Sequence, residues 1–347
     1  KVQNESENFD FTVGTIIVAT GTNQSDTDRW KNAFKKHPNK VFTQNELEAT
    51  KDTEVPGFND ATIILCVDQR RNEFNEGENI KTYCSNICCK VALKNIEKLL
   101  DINPEAHTHI LYRELQFSDL NAERLWRDLR KKVSFERYKS IREISIKDKN
   151  GAFHINYNNL GANCEVEYDT DLLILATPEI PGRGTSELAK MLKVPTTKDG
   201  FFLEAHVKLR PVDFATDGIF LCGGAHWPKW IDEAITQAYG AAGRAASLMV
   251  KGEVETEGIT SYVNEEKCIG CGACAEVCPY NAIEMLEITK QIGLYTVNEK
   301  KAHVIKALCK GCGACAAECP LGAINQRHFS NFQIKKQIEL LPGINLD

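Results

Sequence analysis

No G-x-G-x-x-G turn follows a strand-like run anywhere in these 347 residues. That absence removes the usual seat for the ADP half of a dinucleotide. The G-C-G-A-C-A strings inside the cysteine runs belong to a different pattern. No apolar run approaches the roughly 18 residues that span a bilayer, so direct membrane insertion is not expected. The net charge is −6 and there is no long basic block, which argues against nucleic acid as a partner. No export signal is visible, and so many thiols then point to a reducing cytoplasm. The chain opens at Lys1 in a polar stretch, not at Met, and an upstream part is expected.

Cysteine, by contrast, is abundant: there are 14, and twelve fall into three sets of four. Two sets are the successive runs C-I-G-C-G-A-C-A-E-V-C-P from Cys268 and C-K-G-C-G-A-C-A-A-E-C-P from Cys309. In the C-x2-C-x2-C-x3-C-P pattern three close thiolates hold one [4Fe-4S] cube and the fourth reaches to the other. Cys268, Cys271, Cys274 and Cys319 are therefore expected on one cluster, and Cys309, Cys312, Cys315 and Cys278 on the second. Soft thiolates suit iron–sulfur cubes. Gly270, Gly272, Gly311 and Gly313 permit the backbone angles such loops need, and Pro279 and Pro320 turn the chain after each fourth cysteine. Disulfides fit this spacing poorly, and zinc would not need two interleaved runs.

Hydrophobic residues make up 42% of the chain, enough to fill real cores, and the length suggests two or three domains of about 150 residues. From Thr12 to about Val250 strand and helix signals alternate. Buried β-branched runs lie at 12–22, 61–67, 107–112 and 171–178. Helical patterns lie at 84–100 and 119–132, which together suggest a parallel sheet. Segments near 141–146, 153–157 and 164–168 alternate like a small antiparallel meander. A strand at 217–226 runs into a glycine turn before an alanine-rich helix from Ile231 to Met249. With Ala19-Thr20-Gly21 and the G-I-F-x-x-G segment from Gly218 to Gly223, this order resembles one half of a two-dinucleotide-binding flavoprotein of the thioredoxin-reductase type. The resemblance implies FAD against those segments. Where a nicotinamide site would have its glycine turn, the chain reads Cys66-Val-Asp-Gln-Arg-Arg, which argues against NAD(P)H.

The third set, Cys66, Cys84, Cys88 and Cys89, lies at that same place. Cys84 and Cys88 are spaced to face one way from a helix start. A further [4Fe-4S] cluster and a group of buried or redox-active thiols fit this spacing about equally. A bridge between the adjacent Cys88 and Cys89 would be strained.

The C-V-x-x-R-R…Y-C-S-x-x-C-C-x4-K block from Cys66 to Lys94, the K-L-R-P-V segment at 208–212, the G-I-F-L…P-K segment at 218–229 and the terminal ferredoxin runs together resemble the A-type subunits of heterodisulfide reductases and their relatives. The likeness covers nearly the whole chain. It implies that the third set holds an additional [4Fe-4S] cluster, for three in all, and that Lys94 approaches the flavin, where a cation would stabilise an anionic reduced ring. Ala19, Thr20, Gly21, Gly223, Gly224, Lys229 and Gln237 are the FAD-contact candidates by the same resemblance. Gly224 stands where simpler enzymes of this type place an acid.

The expected fold is α/β: a flavin-domain portion over 1–252 with an inner subdomain at about 58–178, a two-cluster ferredoxin domain over 253–328, and a tail over 329–347. The implied role is electron transfer between FAD, clusters and ferredoxin, by bifurcation or its reverse, as part of an oxidoreductase. The implied partners are a companion chain with the ADP-binding half, B- and C-like subunits, a hydrogenase- or formate-dehydrogenase-linked donor, and ferredoxin, in a dimeric hetero-oligomer. Alternatives are a quinone-linked or aromatic-ring-reducing complex, or a non-catalytic relay.

Overall fold

A computed structural model describes residues 2–3, 8–9, 11–71, 80–117, 119–149, 151–252, 258–292 and 295–341. The expected boundary at 252/253 and the last residues of the tail lie outside that set. The chain forms two compact units, one comprising 1–20, 184–226 and 235–347, the other 21–183 and 227–234.

The second unit is built on a five-stranded parallel sheet in the order Val41–Thr43, Leu172–Leu175, Asp60–Ile64, His107–Tyr112, Ser134–Arg137. Its central strands are apolar on both faces: Ile63, Ile64, Leu172, Leu173 and Ile174 are wholly buried. That is the pattern of a parallel strand covered on each side. One side packs helices Cys88–Ile102 and Leu120–Leu129. The other receives Phe153, Ile155 and Tyr157 from an antiparallel meander of Ser145–Lys149, Ala152–Asn159 and Cys164–Thr170.

Three sequence expectations need correction here. The helix begins at Cys88, so Cys84 lies in the loop before it. Ile141–Glu143 is a 3-10 turn capped by Ser140, and the first meander strand starts only at Ser145. The unit is also wider than 58–178, because Val41–Thr43 pairs with Leu172–Leu175 in the same sheet. The helix Gln44–Ala49 that follows opens with a reciprocal capping box between Thr43 and Glu46.

In the first unit, strand Ile16–Val18 runs parallel to Ile219–Leu221, and helix Ile231–Lys251, which starts in the other unit, buries only Ala241 and Ala245. The ferredoxin portion pairs Ser261–Val263 with Ile324–Gln326 and forms a long hairpin, Ile283–Ile292 with Tyr295–Val304. Short helices Ala273–Glu276 and Ala314–Glu318 each follow a glycine in the left-handed region.

Candidate functional site

The ferredoxin cysteines sort themselves by cavity. One cavity is lined by Cys268, Cys271, Cys274 and Cys319. A second is lined by Cys278, Cys309, Cys312 and Cys315. Each cavity thus takes three thiols from one run and the last from the other. Among the described residues no three His, Cys, Asp or Glu side chains converge on a single-ion position. The thiols of each set line a shared space.

Two glycines make the loops possible. At Gly270, with φ +74°, an added Cβ would sit 2.2 Å from the Lys300 carbonyl oxygen. At Gly311, with φ +62°, it would sit 2.4 Å from that of Ile259. Gly270→Ala is therefore expected to destabilise the ferredoxin portion by about 2–5 kcal/mol, combining left-handed strain with displaced hairpin backbone. Gly272→Ala meets no atom within 4 Å and should cost only about 1–2 kcal/mol. Thermal denaturation of the two variants measures the contrast.

Amide donors face the sulfurs. Ala282 N–H donates to Cys278 Sγ at 3.3 Å, and Ala323 N–H to Cys319 Sγ at 3.2 Å. Burial pushes the Cys274 and Cys315 thiols up, with Ser261 partly offsetting this at Cys315. At Cys319 burial acts upward, but amides of Leu321, Ala323, Ile324 and Gly322 prevail and hold it below its ordinary value.

In the other unit, Cys66 follows the strand Asp60–Ile64, Cys84 sits in the loop, and Cys88 and Cys89 open the helix. The four are close enough to influence one another electrostatically. Burial raises Cys66, the charge of Cys84 adds to that, and Arg70 opposes it. Burial drives Cys88 far above the ordinary thiol range, reinforced by Cys89, Cys66 and Cys84. It pushes Cys89 up to about 12.

Every one of these sulfurs has a facing donor. Asn86 N–H lies 3.4 Å from Cys84 Sγ, Gln69 Nε2 3.4 Å from Cys88 Sγ, and Gln116 N–H 3.4 Å from Cys89 Sγ. Arg70 Nη1 stands 4.0 Å from Cys66 Sγ. The buried Gln69 amide cannot turn round, because its Oε1 accepts from Ser85 N–H at 3.1 Å. Cys66, Asp68, Arg70 and Asn86 all hold positive φ near +60° without being glycine. Such strain persists only where surroundings impose it, and it gathers at functional sites. Of these donors, only Arg70 is signalled in the sequence, through the Arg70-Arg71 pair.

Lys94 projects from the same helix. Its Nζ lies 3.0 Å from Glu48 Oε1 and 5.9 Å from the centre of the Trp230 ring. Lys90, one turn earlier and without a sequence signal of its own, is buried, paired with Asp119, and closer to that ring at 4.3 Å. Lys229 donates to the Trp227 carbonyl at 2.7 Å.

The remaining flavin candidates cluster at the carboxyl ends of the two short parallel strands. Cys222 N–H donates to Val18 O at 3.1 Å, setting Ala19-Thr20 beside Gly223-Gly224. Gly21 and Gly223 both have positive φ, and among the described residues nothing lies within 4 Å of the Cβ position of Gly21. Ligands of open parallel sheets bind beyond strand carboxyl ends, so this turn suits a cofactor. Gln237 buttresses it: Oε1 accepts from Gly223 N–H at 3.1 Å, and Nε2 lies 2.9 Å from His226 Nδ1. With that nitrogen accepting, His226 carries its proton on Nε2, 2.9 Å from Glu204.

Residues 267–323 match the family model of the 4Fe-4S dicluster domain. Over 98% of its length the chain is 35% identical to the A-type subunit of the H2:CoB-CoM heterodisulfide,ferredoxin reductase of Methanothermobacter thermautotrophicus. It is 37% identical, again over 98%, to the protein of the same name from Methanothermobacter marburgensis. The chain belongs to the family of heterodisulfide reductase A-type subunits. It spans 51% of the length of each of those two relatives, so about half of such a protein is in view. The homology runs through the four-cysteine block as well as the dicluster portion, since it extends far beyond residues 267–323. The chain also overlaps thioredoxin reductases of T. acidophilum and Lactococcus lactis at 10% and 14% identity. In each case 68% of this chain and 66% of the other are covered, with a TM-score of 0.42, too partial a match to carry an inference. Among the described residues no helix is long and apolar enough to cross a membrane.

Proposed function

We propose that this chain is the electron-transfer flavo-iron–sulfur component of a heterodisulfide-reductase-like complex. The observation that carries the reading is the pair of cavities whose cysteines cross between runs. Cys268, Cys271, Cys274 and Cys319 would hold one [4Fe-4S] cluster, Cys309, Cys312, Cys315 and Cys278 a second, and Cys66, Cys84, Cys88 and Cys89 a third. Such clusters supply single-electron transfer, and FAD exchanges electron pairs for single electrons. The protein's part is to orient, insulate and tune. The cysteines would bind iron as thiolates, backbone amides face several of the sulfurs, and Ala19, Thr20, Gly21, Gly223 and Gly224 would offer backbone to the flavin, with Gln237 bracing the turn. Lys94 and Lys229 are the candidate cations near the cofactor.

In this reading a hydrogenase- or formate-dehydrogenase-linked donor supplies electron pairs, which divide between a disulfide-reducing branch and low-potential ferredoxin, or recombine in reverse. The site is assigned to a reducing cytoplasm, with B- and C-like subunits in a dimeric hetero-oligomer. A companion polypeptide, or an upstream segment of the same protein, carrying the ADP-binding half completes the flavin lobe. Support for a missing half comes from apolar surface left in water: Ile16 and Ile17 of the short strand, and Ile235, Tyr239 and Val250 of the long helix, are all exposed.

FAD is expected to be retained when the complex is purified intact under anaerobic conditions and absent when this chain is isolated alone. Tight FAD binding by the isolated chain would remove the need for a companion. Absence of flavin from the intact complex would leave a ferredoxin relay.

A further inference from the structure

The two ferredoxin cavities are related by an internal repeat, and the repeat is broken at one pair of positions. Val263 and Cys268 correspond to Val304 and Cys309, and Ala282 and Ile283 to Ala323 and Ile324. By the same alignment Ser261 corresponds to Ala302, and Gln326 to Met285. The strand register preserves the equivalence: Ser261 pairs with Gln326, and Met285 with Ala302. Ala302 and Met285 line the cavity of Cys268, Cys271, Cys274 and Cys319. Ser261 lines that of Cys278, Cys309, Cys312 and Cys315. One site therefore has an apolar pair where the other has a polar one.

The polar pair is aimed. Ser261 is 3% exposed, and its N–H donates to Cys309 Sγ at 3.3 Å. Its Oγ lies 3.2 Å from Cys315 Sγ and accepts from Gln326 Nε2 at 2.9 Å. With Gln326 donating to the oxygen, the hydroxyl can turn its proton toward the sulfur. Lys310 also lines this cavity, where the repeat places Ile269 in the other. The Lys310 charge is shared with Asp217 at 2.7 Å. At the apolar site a cation, Lys301, donates to the Cys268 carbonyl at 2.6 Å but is paired with Glu299 at 3.0 Å.

We propose that Ser261, braced by Gln326, sets the two ferredoxin clusters at unequal potentials, with the cluster of Cys278, Cys309, Cys312 and Cys315 the higher. Reduction adds negative charge to a cube, and a hydroxyl donor at a ligand sulfur favours the reduced state. The apolar site lacks that donor and keeps its cluster low. The site of Cys268, Cys271, Cys274 and Cys319 would then be the one suited to serve a low-potential acceptor. Ser261 acts as a positioning residue through Cys315, not as a catalytic one.

The proposal rests on the two-cluster reading, and potentiometric EPR titration of the anaerobically purified complex, with iron counted on the same samples, tests both separately. Ser261→Ala is expected to lower the upper midpoint by about tenfold in the reduction equilibrium, or about 59 mV for one electron. Ala302→Ser is expected to raise the lower midpoint in the opposite sense. Either variant keeping all its iron with its midpoint unmoved overturns the proposal. So does loss of iron in both, since a residue that only tunes a cluster leaves the cluster in place. Fewer than about eight iron atoms on the wild-type ferredoxin portion would instead sink the two-cluster reading.

Discussion

Cys319→Ser is expected to remove the cluster of the first cysteine run and spare that of the second, although Cys319 belongs to the second run. Each cavity is closed by the last cysteine of the other run. A variant's spectrum should therefore sort by cavity and not by sequence neighbourhood. Cys319→Ser and Cys268→Ser should leave the same residual EPR signal, and Cys278→Ser and Cys309→Ser the other. Each variant should fall about four iron atoms short of the wild type. If Cys319→Ser instead matches Cys309→Ser, the crossing is wrong.

The second large effect is expected at Cys89. Cys89→Ser should cost about four further iron atoms while both ferredoxin signals persist, because the two sets share no residue. Loading of this third site should also depend on pH. Burial pushes Cys89 up to about 12 and Cys88 higher still, so without iron both thiols are neutral at pH 7, and binding must expel their protons. Reconstitution of the iron-free protein should accordingly improve as pH rises from 7 toward 9. The sign for apoprotein stability is opposite. Raised thiol values favour the folded state below the ordinary thiol range, and that contribution fades as pH climbs through the folded values. Iron content after reconstitution, against a denaturation curve of the iron-free chain, separates the two trends.

The dicluster portion is legible in the sequence because a four-cysteine loop leaves a spacing signature that no core position imitates. Strands such as Asp60–Ile64 and Leu172–Leu175 are legible for a related reason: burial on both faces forces a continuous apolar run. Cys84 reads as helical when it lies in a loop, because spacing alone cannot separate a helical turn from a loop that brings the same sulfurs together. The donors Gln69 and Gln116 leave no mark at all. One is a buried side chain and the other a backbone amide, brought to the sulfurs only by tertiary folding. Lys90 shows the same limit, since a lysine in a helix reads as solvated until Asp119 and Trp230 are seen around it. The Ser261 and Ala302 difference is visible in the repeat but acquires meaning only when the strand register puts each residue at its own cavity.

The most direct test of the account is iron and acid-labile sulfide per chain in the anaerobically purified protein. Three cubes predict about twelve of each. About eight would contradict the account at Cys66, Cys84, Cys88 and Cys89 and leave a two-cluster ferredoxin beside a thiol-lined α/β unit.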